Sequence, residues 1–153
     1  MNRRGFTLIE LLVVVGIIGL LSSVTLVGLG SFRARGRDAR RVADLREVQN
    51  ALELYYTSEQ AYPDAGTGWA GMVGAITSAS IGVRSLPSTG PSGDAYYYGV
   101  DTGGVPQNQS YVLKAILEDP ANPALANSTR GTIYGVECGS LTAGNKEYYC
   151  VQF

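Results

Sequence analysis

Glu10 is the one ionisable side chain between Phe6 and Phe32, in a run that is otherwise apolar or small. A carboxylate in such a run is costly in free energy, so its default interpretation is a functional group that pairs with a positive charge. A short basic leader ending in Gly5 precedes the run. Gly5 is the small residue at this junction, which predicts that a protease acting at the cytoplasmic edge of a membrane cleaves after it.

The apolar run is long enough to span a bilayer if it is helical. At about 1.5 Å per residue, residues 6–32 would reach roughly 40 Å, against a hydrocarbon core of about 30 Å. An ordinary secretory signal has an apolar core of only about 7 to 15 residues. We therefore predict a membrane-spanning helix over residues 6–32 that is kept after cleavage. The arginines of the leader favour a cytoplasmic amino end, although five arginines crowd the other flank.

Residues 3–11, Arg-Arg-Gly-Phe-Thr-Leu-Ile-Glu-Leu, resemble the prepilin signature of the type IV pilin and pseudopilin superfamily. The resemblance implies that a prepilin peptidase cleaves after Gly5 and methylates the amino group of Phe6. It also implies that Glu10 neutralises the free amino terminus of a neighbouring subunit during filament assembly. A plain single-pass anchor is the alternative, and it would not need Glu10.

Composition argues against an enzyme. The chain has no histidine and two cysteines, so neither a His/Cys zinc site nor a Cys-His or Ser-His catalytic pair can be assembled. With 12 basic and 13 acidic side chains, nothing in the overall charge favours nucleic acid, and Asp38 and Asp44 dilute the arginines between residues 33 and 46. We predict no cofactor and no metal. Three aspartates in loops lack the spacing of a calcium loop and are interpreted as solvated turn residues: Asp94, Asp101 and Asp119.

The two cysteines, Cys138 and Cys150, are separated by a short segment that contains glycine. Such a pair predicts a disulfide made in an oxidising compartment, which would place the carboxyl-terminal domain outside the cytoplasm. Two buried free thiols are the alternative.

The helix is predicted to continue beyond the apolar run. Apolar residues advance by three or four positions and indicate a helix lying on a core: Val42, Leu45, Val48, Leu52, Tyr55 and Tyr56. Asp38 and Arg41 fall on the same face, so we interpret the preceding stretch as a solvated neck or a surface matched to neighbouring subunits. Pro63 predicts that the helix ends near Ala61.

The remainder predicts an α+β class. Helical spacing from Trp69 to Ile76 indicates a short helix in a loop region. Four strand candidates follow, over residues 96–100, 111–117, 132–137 and 147–153. Short strands after one long helix imply an antiparallel sheet laid on its outer half, which is also the pilin fold. The predicted divisions are a leader (1–5), a membrane-spanning and filament-core helix (6–32), a helix extension (33–62) and a head (63–153).

These features support a structural function as the leading hypothesis. The resemblance implies a type IV pilus subunit, held in the inner membrane as a precursor and polymerised by inner-membrane machinery into a homo-oligomeric helical filament, of the kind that serves adhesion or twitching motility. The alternative within the superfamily is a periplasmic pseudopilin of type II secretion or DNA uptake. A membrane-anchored enzyme or receptor is the hypothesis of another class. The run of residues 6–32 lacks the proline that many type IV pilins carry there.

Overall fold

A computed structural model of the chain describes residues 5–64, 66, 68–139 and 146–153, and describes the backbone but not the side chains of residues 24–29. Residues 1–4 of the predicted leader and residues 140–145 between the cysteines lie outside this description. The chain divides into two compact units, Met1–Arg33 and Ala34–Phe153, and we refer to the second as the head.

Helix α1 comprises Leu8–Glu59, a stretch of 52 residues. No proline interrupts it, and leucine and arginine, which are strong helix formers, are frequent in it. The helix ends at Glu59, where Gln60 adopts a φ of 58° and Pro63 follows. The end lies two residues before the predicted Ala61, because the left-handed conformation of Gln60 already closes the last turn.

In the first unit, the large apolar side chains from Leu8 to Leu21 are between 49% and 87% exposed. Among the residues that the structure describes, no helix combines the length and the apolar content needed to cross a membrane. The predicted membrane-spanning helix over residues 6–32 is therefore not confirmed.

The head contains helix α2, Gly68–Ser78, which confirms the predicted short helix. Within the described part of the head, five strands follow in the order β1 Tyr97–Val100, β2 Tyr111–Leu117, β3 Thr132–Ile133, β4 Val136–Glu137 and β5 Glu147–Gln152. Strands β1, β2 and β5 form an antiparallel sheet with β2 in the centre. On β2, Leu113 lies opposite Tyr98 of β1 and Val151 of β5.

One face of this sheet forms the main core with α2 and the second half of α1. The fully buried side chains include Leu45, Val48, Leu52, Met72, Ile76, Tyr111, Leu113 and Leu117. Trp69 of α2 packs on Tyr96, with ring centroids 5.0 Å apart, and its indole N–H donates to the carbonyl of Pro87 at 2.9 Å. The α+β class predicted from the sequence is therefore confirmed.

The opposite face of the sheet is covered by a hairpin, β3–β4, which corrects the single strand predicted over residues 132–137. Tyr134 (φ 46°) and Gly135 (φ 78°) are both left-handed, so the chain turns back between them, as two-residue hairpin turns require. A Cβ on Gly99 would lie 2.6 Å from the carbonyl oxygen of Tyr134. Glycine at position 99 therefore allows the hairpin to lie directly on the sheet.

Candidate functional site

The start of α1 is built around Thr7 and Glu10. Oε2 of Glu10 accepts hydrogen bonds from the backbone N–H of Thr7 at 2.8 Å and from its hydroxyl at 2.7 Å. The backbone N–H of Glu10 donates in return to the Thr7 hydroxyl oxygen at 3.3 Å. This reciprocal arrangement is a capping box, which satisfies amide groups that the first helical turn leaves unpaired.

An assembly role was predicted for Glu10 from the sequence, whereas the cap was not, although Thr-x-x-Glu before an apolar run is a recognisable capping pattern. Both hydrogen bonds that the structure gives the carboxylate go to Oε2. No described residue donates to Oε1, so the cap leaves this oxygen able to accept from a donor such as an amine.

Glu10 lies within an exposed apolar patch. Phe6, which is 84% exposed, forms with Ile9, Glu10, Val13 and Val14 a shallow pocket of about 340 Å³. These residues follow helical spacing, so one carboxylate is framed by apolar side chains. Gly5 precedes the patch, and the space where its Cβ would lie is open. The predicted cleavage site and the predicted assembly carboxylate are thus adjacent in the structure.

A second cluster, which the sequence analysis did not predict, lies in the head. The carboxylate of Asp38 on α1 accepts hydrogen bonds from the backbone N–H groups of Glu118 at 2.9 Å and Asp119 at 2.8 Å. It also accepts one from Nη1 of Arg41 at 2.8 Å. Through these contacts α1 is joined to the segment that follows β2.

Arg41 is the centre of this cluster. Its Nη2 donates to Glu118 at 2.7 Å and to Asp94 at 2.5 Å. Arg37 forms a further ion pair with Glu118. The hydrogen bond from Arg37, supported by Arg41, lowers the pKa of Glu118 to about 2, since both cations favour its ionised form.

Asp38 and Arg41 are both 0% exposed, so the predicted solvated neck is wrong at these two positions. The Asp38 carboxylate and Nη2 of Arg41 find hydrogen-bond partners about 50 to 80 positions away in the chain, a pairing that local periodicity does not reveal, while Nε of Arg41 has no partner among the described residues. One feature of the sequence did indicate their burial. Asp38 and Arg41 lie on the same face of α1 as Leu45, and this face packs against the rest of the head.

The structure joins Cys138 to Cys150 in a disulfide with a Cα–Cα distance of 5.9 Å, as predicted. Both cysteines are fully buried, together with Val112 and Val136. The bridge connects the end of the β3–β4 hairpin to β5 and so holds the hairpin on the sheet.

The aspartates considered for calcium have other contacts. Asp94 pairs with Arg41, Asp119 pairs with Arg35 at 3.0 Å, and Asp101 accepts from the N–H of Gly103 at 2.9 Å. Among the described residues, no group of three or more acidic or cysteine side chains is arranged to hold a metal ion.

The amino end matches a known family model, the prokaryotic N-terminal methylation motif, over residues 1–26. The chain carries a prepilin-type amino terminus. Its homologues are type II secretion proteins and type IV pilins. The prepilin-type motif and the long helix packed on a small antiparallel sheet agree with the type IV pilin fold.

Three relatives illustrate the range of this similarity. "Type II secretion system core protein G" of Escherichia coli K12 is 35% identical over 76 residues, covering 50% of this chain and 52% of that protein. "Type IV major pilin protein PilA" of Myxococcus xanthus is 34% identical over 63 residues, covering 41% and 29%. "Type IV major fimbrial protein FimA" of Dichelobacter nodosus is 25% identical over 133 residues, covering 87% and 78%.

The chain spans about half the length of the first of these relatives. The names of the three relatives describe a secretion-system core protein, a major pilin and a major fimbrial protein, and none of them is the name of an enzyme. No solved structure matches the chain.

Proposed function

We propose that this protein is a structural subunit that is processed after Gly5 and polymerises through the amino-terminal part of α1 into a helical filament. The observation that carries the proposal is the apolar surface from Phe6 to Leu21, exposed all around the helix and interrupted by the single carboxylate of Glu10. A helix that is apolar on every side requires an apolar environment.

Two environments satisfy this requirement in turn. The precursor is held in the inner membrane with its amino end in the cytoplasm, where lipid surrounds the helix. In the filament, the helices of neighbouring copies surround it instead. Because apolar surface stays covered in both states, transfer from membrane to filament has a modest net free-energy cost.

Glu10 selects the position of a neighbouring copy. Cleavage after Gly5 creates a new amino group at Phe6, and methylation leaves that group positively charged. Oε1 of Glu10 accepts a hydrogen bond from the amino group of an adjacent subunit, since a carboxylate in apolar surroundings is stabilised by a paired cation. Prepilin peptidase and the inner-membrane assembly machinery are the corresponding partners.

The filament that we propose is a type IV pilus on the cell surface. The similarity to FimA supports this, since it extends over 87% of the chain and therefore includes most of the head. A second candidate is a pseudopilin with a short periplasmic filament, favoured by the 35% identity to core protein G over half the chain.

The test is mass spectrometry of filaments sheared from the source cells, with electron microscopy of the same cells. A pilus subunit is found in long surface fibres with Phe6 as a methylated first residue. A pseudopilin is processed in the same way but is absent from the sheared fraction. Unprocessed chain in assembled material would contradict both candidates.

A further inference from the structure

A groove runs along the head beside the part of α1 that is nearest the first unit in sequence. It is lined by Arg35, Ala39, Val42 and Arg46 of α1 and by residues of the segment that follows β2, from Asp119 to Ala124. The volume is about 580 Å³, and Ala39, Val42 and Ala124 give it an apolar floor. We call this feature the arginine groove.

The lining of the arginine groove is net positive, since it contains two arginines and one aspartate. Arg35 pairs with Asp119 at 3.0 Å but remains 64% exposed. Arg46 is exposed and forms no ion pair with any described residue. The groove therefore combines an apolar floor with guanidinium groups that can contact an acidic ligand.

The other end of α1 has the opposite charge. No lysine or arginine occurs between Arg46 and Arg84, and the last turn of α1 has no basic residue. Glu59 and Asp64 are exposed there. The unpaired carbonyl groups of the helix end add partial negative charge.

The loop of residues 101–110 projects beside this acidic end. The backbone N–H of Tyr62 donates to the carbonyl of Asn108 at 2.9 Å, and the side-chain amide of Gln109 donates to the carbonyl of Gln60 at 3.1 Å. These contacts attach the loop to the end of α1. We call the loop together with Glu59 and Asp64 the acidic tip.

Val105 is the apolar point of the acidic tip. It is 99% exposed, which is the highest value for any large apolar side chain whose exposure the structure describes. The loop behind it is ordered by Asp101, whose carboxylate accepts from the N–H groups of Gly103 at 2.9 Å and Gly104 at 3.2 Å. The backbone N–H of Asn108 closes the base of the loop by donating to the carbonyl of Asp101 at 2.7 Å.

The two features lie at opposite ends of the head. Twenty residues of α1 separate Ala39 from Glu59, which corresponds to about 30 Å along the helix. A contact between two different surfaces at opposite ends is heterologous, so it can repeat without closing and produces an open chain of copies.

We infer that the acidic tip of one copy docks in the arginine groove of another copy of this chain. Val105 then rests on the apolar floor, and the carboxylates of the tip approach Arg35 and Arg46. This interface rests on the proposed filament function and assigns to the head its own head-to-tail contact, separate from the packing of the amino-terminal helices.

The first test is cysteine cross-linking within assembled filaments. The two cysteines that the chain contains are joined to each other and buried, so introduced cysteines supply the reactive thiols. A chain with both Ala39→Cys and Val105→Cys is expected to give a ladder of covalent oligomers on mild oxidation. The matched control pairs Val105→Cys with Ala70→Cys, an exposed position on α2 outside the groove.

Each outcome of this test decides one question. A ladder confined to the Ala39 and Val105 pair supports the interface. Filaments without a ladder, or equal ladders in the control pair, overturn the interface and leave the filament function standing. Absence of filaments from the unmodified chain overturns the proposed function, and the interface falls with it.

A charge exchange gives a second readout that does not depend on thiols. Arg46→Glu and Glu59→Arg are each expected to lower filament yield several-fold, and their combination to restore it. Both positions are exposed, and an arginine at the carboxyl end of α1 is favourable to the helix, so neither change should unfold the head. Failure of the combination to restore yield would overturn the interface.

Discussion

Nη1 of Arg41 lies 2.8 Å from the carboxylate of Asp38, one helical turn earlier, and neither side chain is exposed to solvent. A buried ion pair of this kind is stable only when the remaining donors and acceptors also have partners. Here the backbone of Glu118 and Asp119 provides them for Asp38. The pair therefore connects the middle of α1 to the end of the central strand.

Arg41→Ala is expected to destabilise the head by about 3 to 5 kcal/mol, because it leaves the buried carboxylate of Asp38 without its cation. The measurement is urea unfolding of the detergent-solubilised chain, followed by near-ultraviolet circular dichroism. Arg40→Ala is the matched control: Arg40 is exposed, and its loss should change stability by less than about 0.5 kcal/mol. Equal effects of the two substitutions would contradict the structural role of Arg41.

The lowered pKa of the Glu118 carboxyl leads us to expect that the head loses stability in acid. Its pKa is lowered from 4.5 to about 2 in the folded chain, chiefly by Arg37. A lowered carboxyl pKa contributes stability that is complete above the unfolded value and is lost as the pH falls through the folded value. The urea midpoint should thus fall between about pH 4.5 and pH 2.

Glu118→Gln should reduce that fall and should also lower stability at neutral pH. Glu47→Gln, at an exposed position on α1, is the control and should leave the pH dependence unchanged. An unaltered pH profile in Glu118→Gln would show that other carboxyl groups cause the acid sensitivity.

Glu10 caps α1, and we propose that it also pairs with a neighbouring amine; the two roles can be separated. Glu10→Gln keeps an oxygen that can accept from Thr7 but removes the charge, whereas Glu10→Val removes both. We expect both variants to accumulate as processed protein and to lose filaments, measured as the ratio of sheared to cellular protein. Thr7→Val keeps the charge and loses part of the cap, at about 1 kcal/mol, and should still assemble. Normal filament yield from Glu10→Gln would leave capping as the function of Glu10.

Gly5→Val tests the cleavage site. A Cβ at position 5 would meet no atom of the described residues within 4 Å, its chain neighbours aside, so the substitution should not disturb the start of α1. Its expected effect is therefore on the peptidase alone, and the uncleaved precursor should accumulate. The mass of the intact protein shows whether cleavage has occurred. Gly16→Ala serves as the control, because a Cβ at position 16 also lies in open space. A mature chain starting at Phe6 from Gly5→Val would contradict this cleavage site.

Loss of the disulfide should release the β3–β4 hairpin. For a sequence separation of 12 residues, loop closure corresponds to about 3 kcal/mol. Cys150→Ser should make the carboxyl-terminal segment sensitive to protease while α1 stays intact. The double variant Cys138→Ser and Cys150→Ser should show the same protease sensitivity as Cys150→Ser. Because the double variant has no free thiol, this result would assign the effect to loss of the bridge. Full thiol labelling of both cysteines in untreated filaments would show that the bridge is not formed.

The elements that depend on local pattern were predictable. Strand β2 lies at the predicted residues 111–117, and β5 differs from its prediction by one residue. The hairpin was missed because its turn depends on the left-handed conformation of Tyr134, a residue type that rarely adopts it. The burial of Asp38 and Arg41 was missed for a different reason, since their partners are distant in sequence and only the folded head brings them together.

Trp69 is the only tryptophan of the chain, and it lies in the head, packed at a tilt against Tyr96 and hydrogen-bonded to the carbonyl of Pro87. The fluorescence of the whole protein therefore reports on the head and contains no tryptophan signal from the amino-terminal half of α1. The emission of this single indole can therefore be used to measure unfolding of the head in detergent, in vesicles and in intact filaments. The chain thus carries an intrinsic optical probe that needs no label.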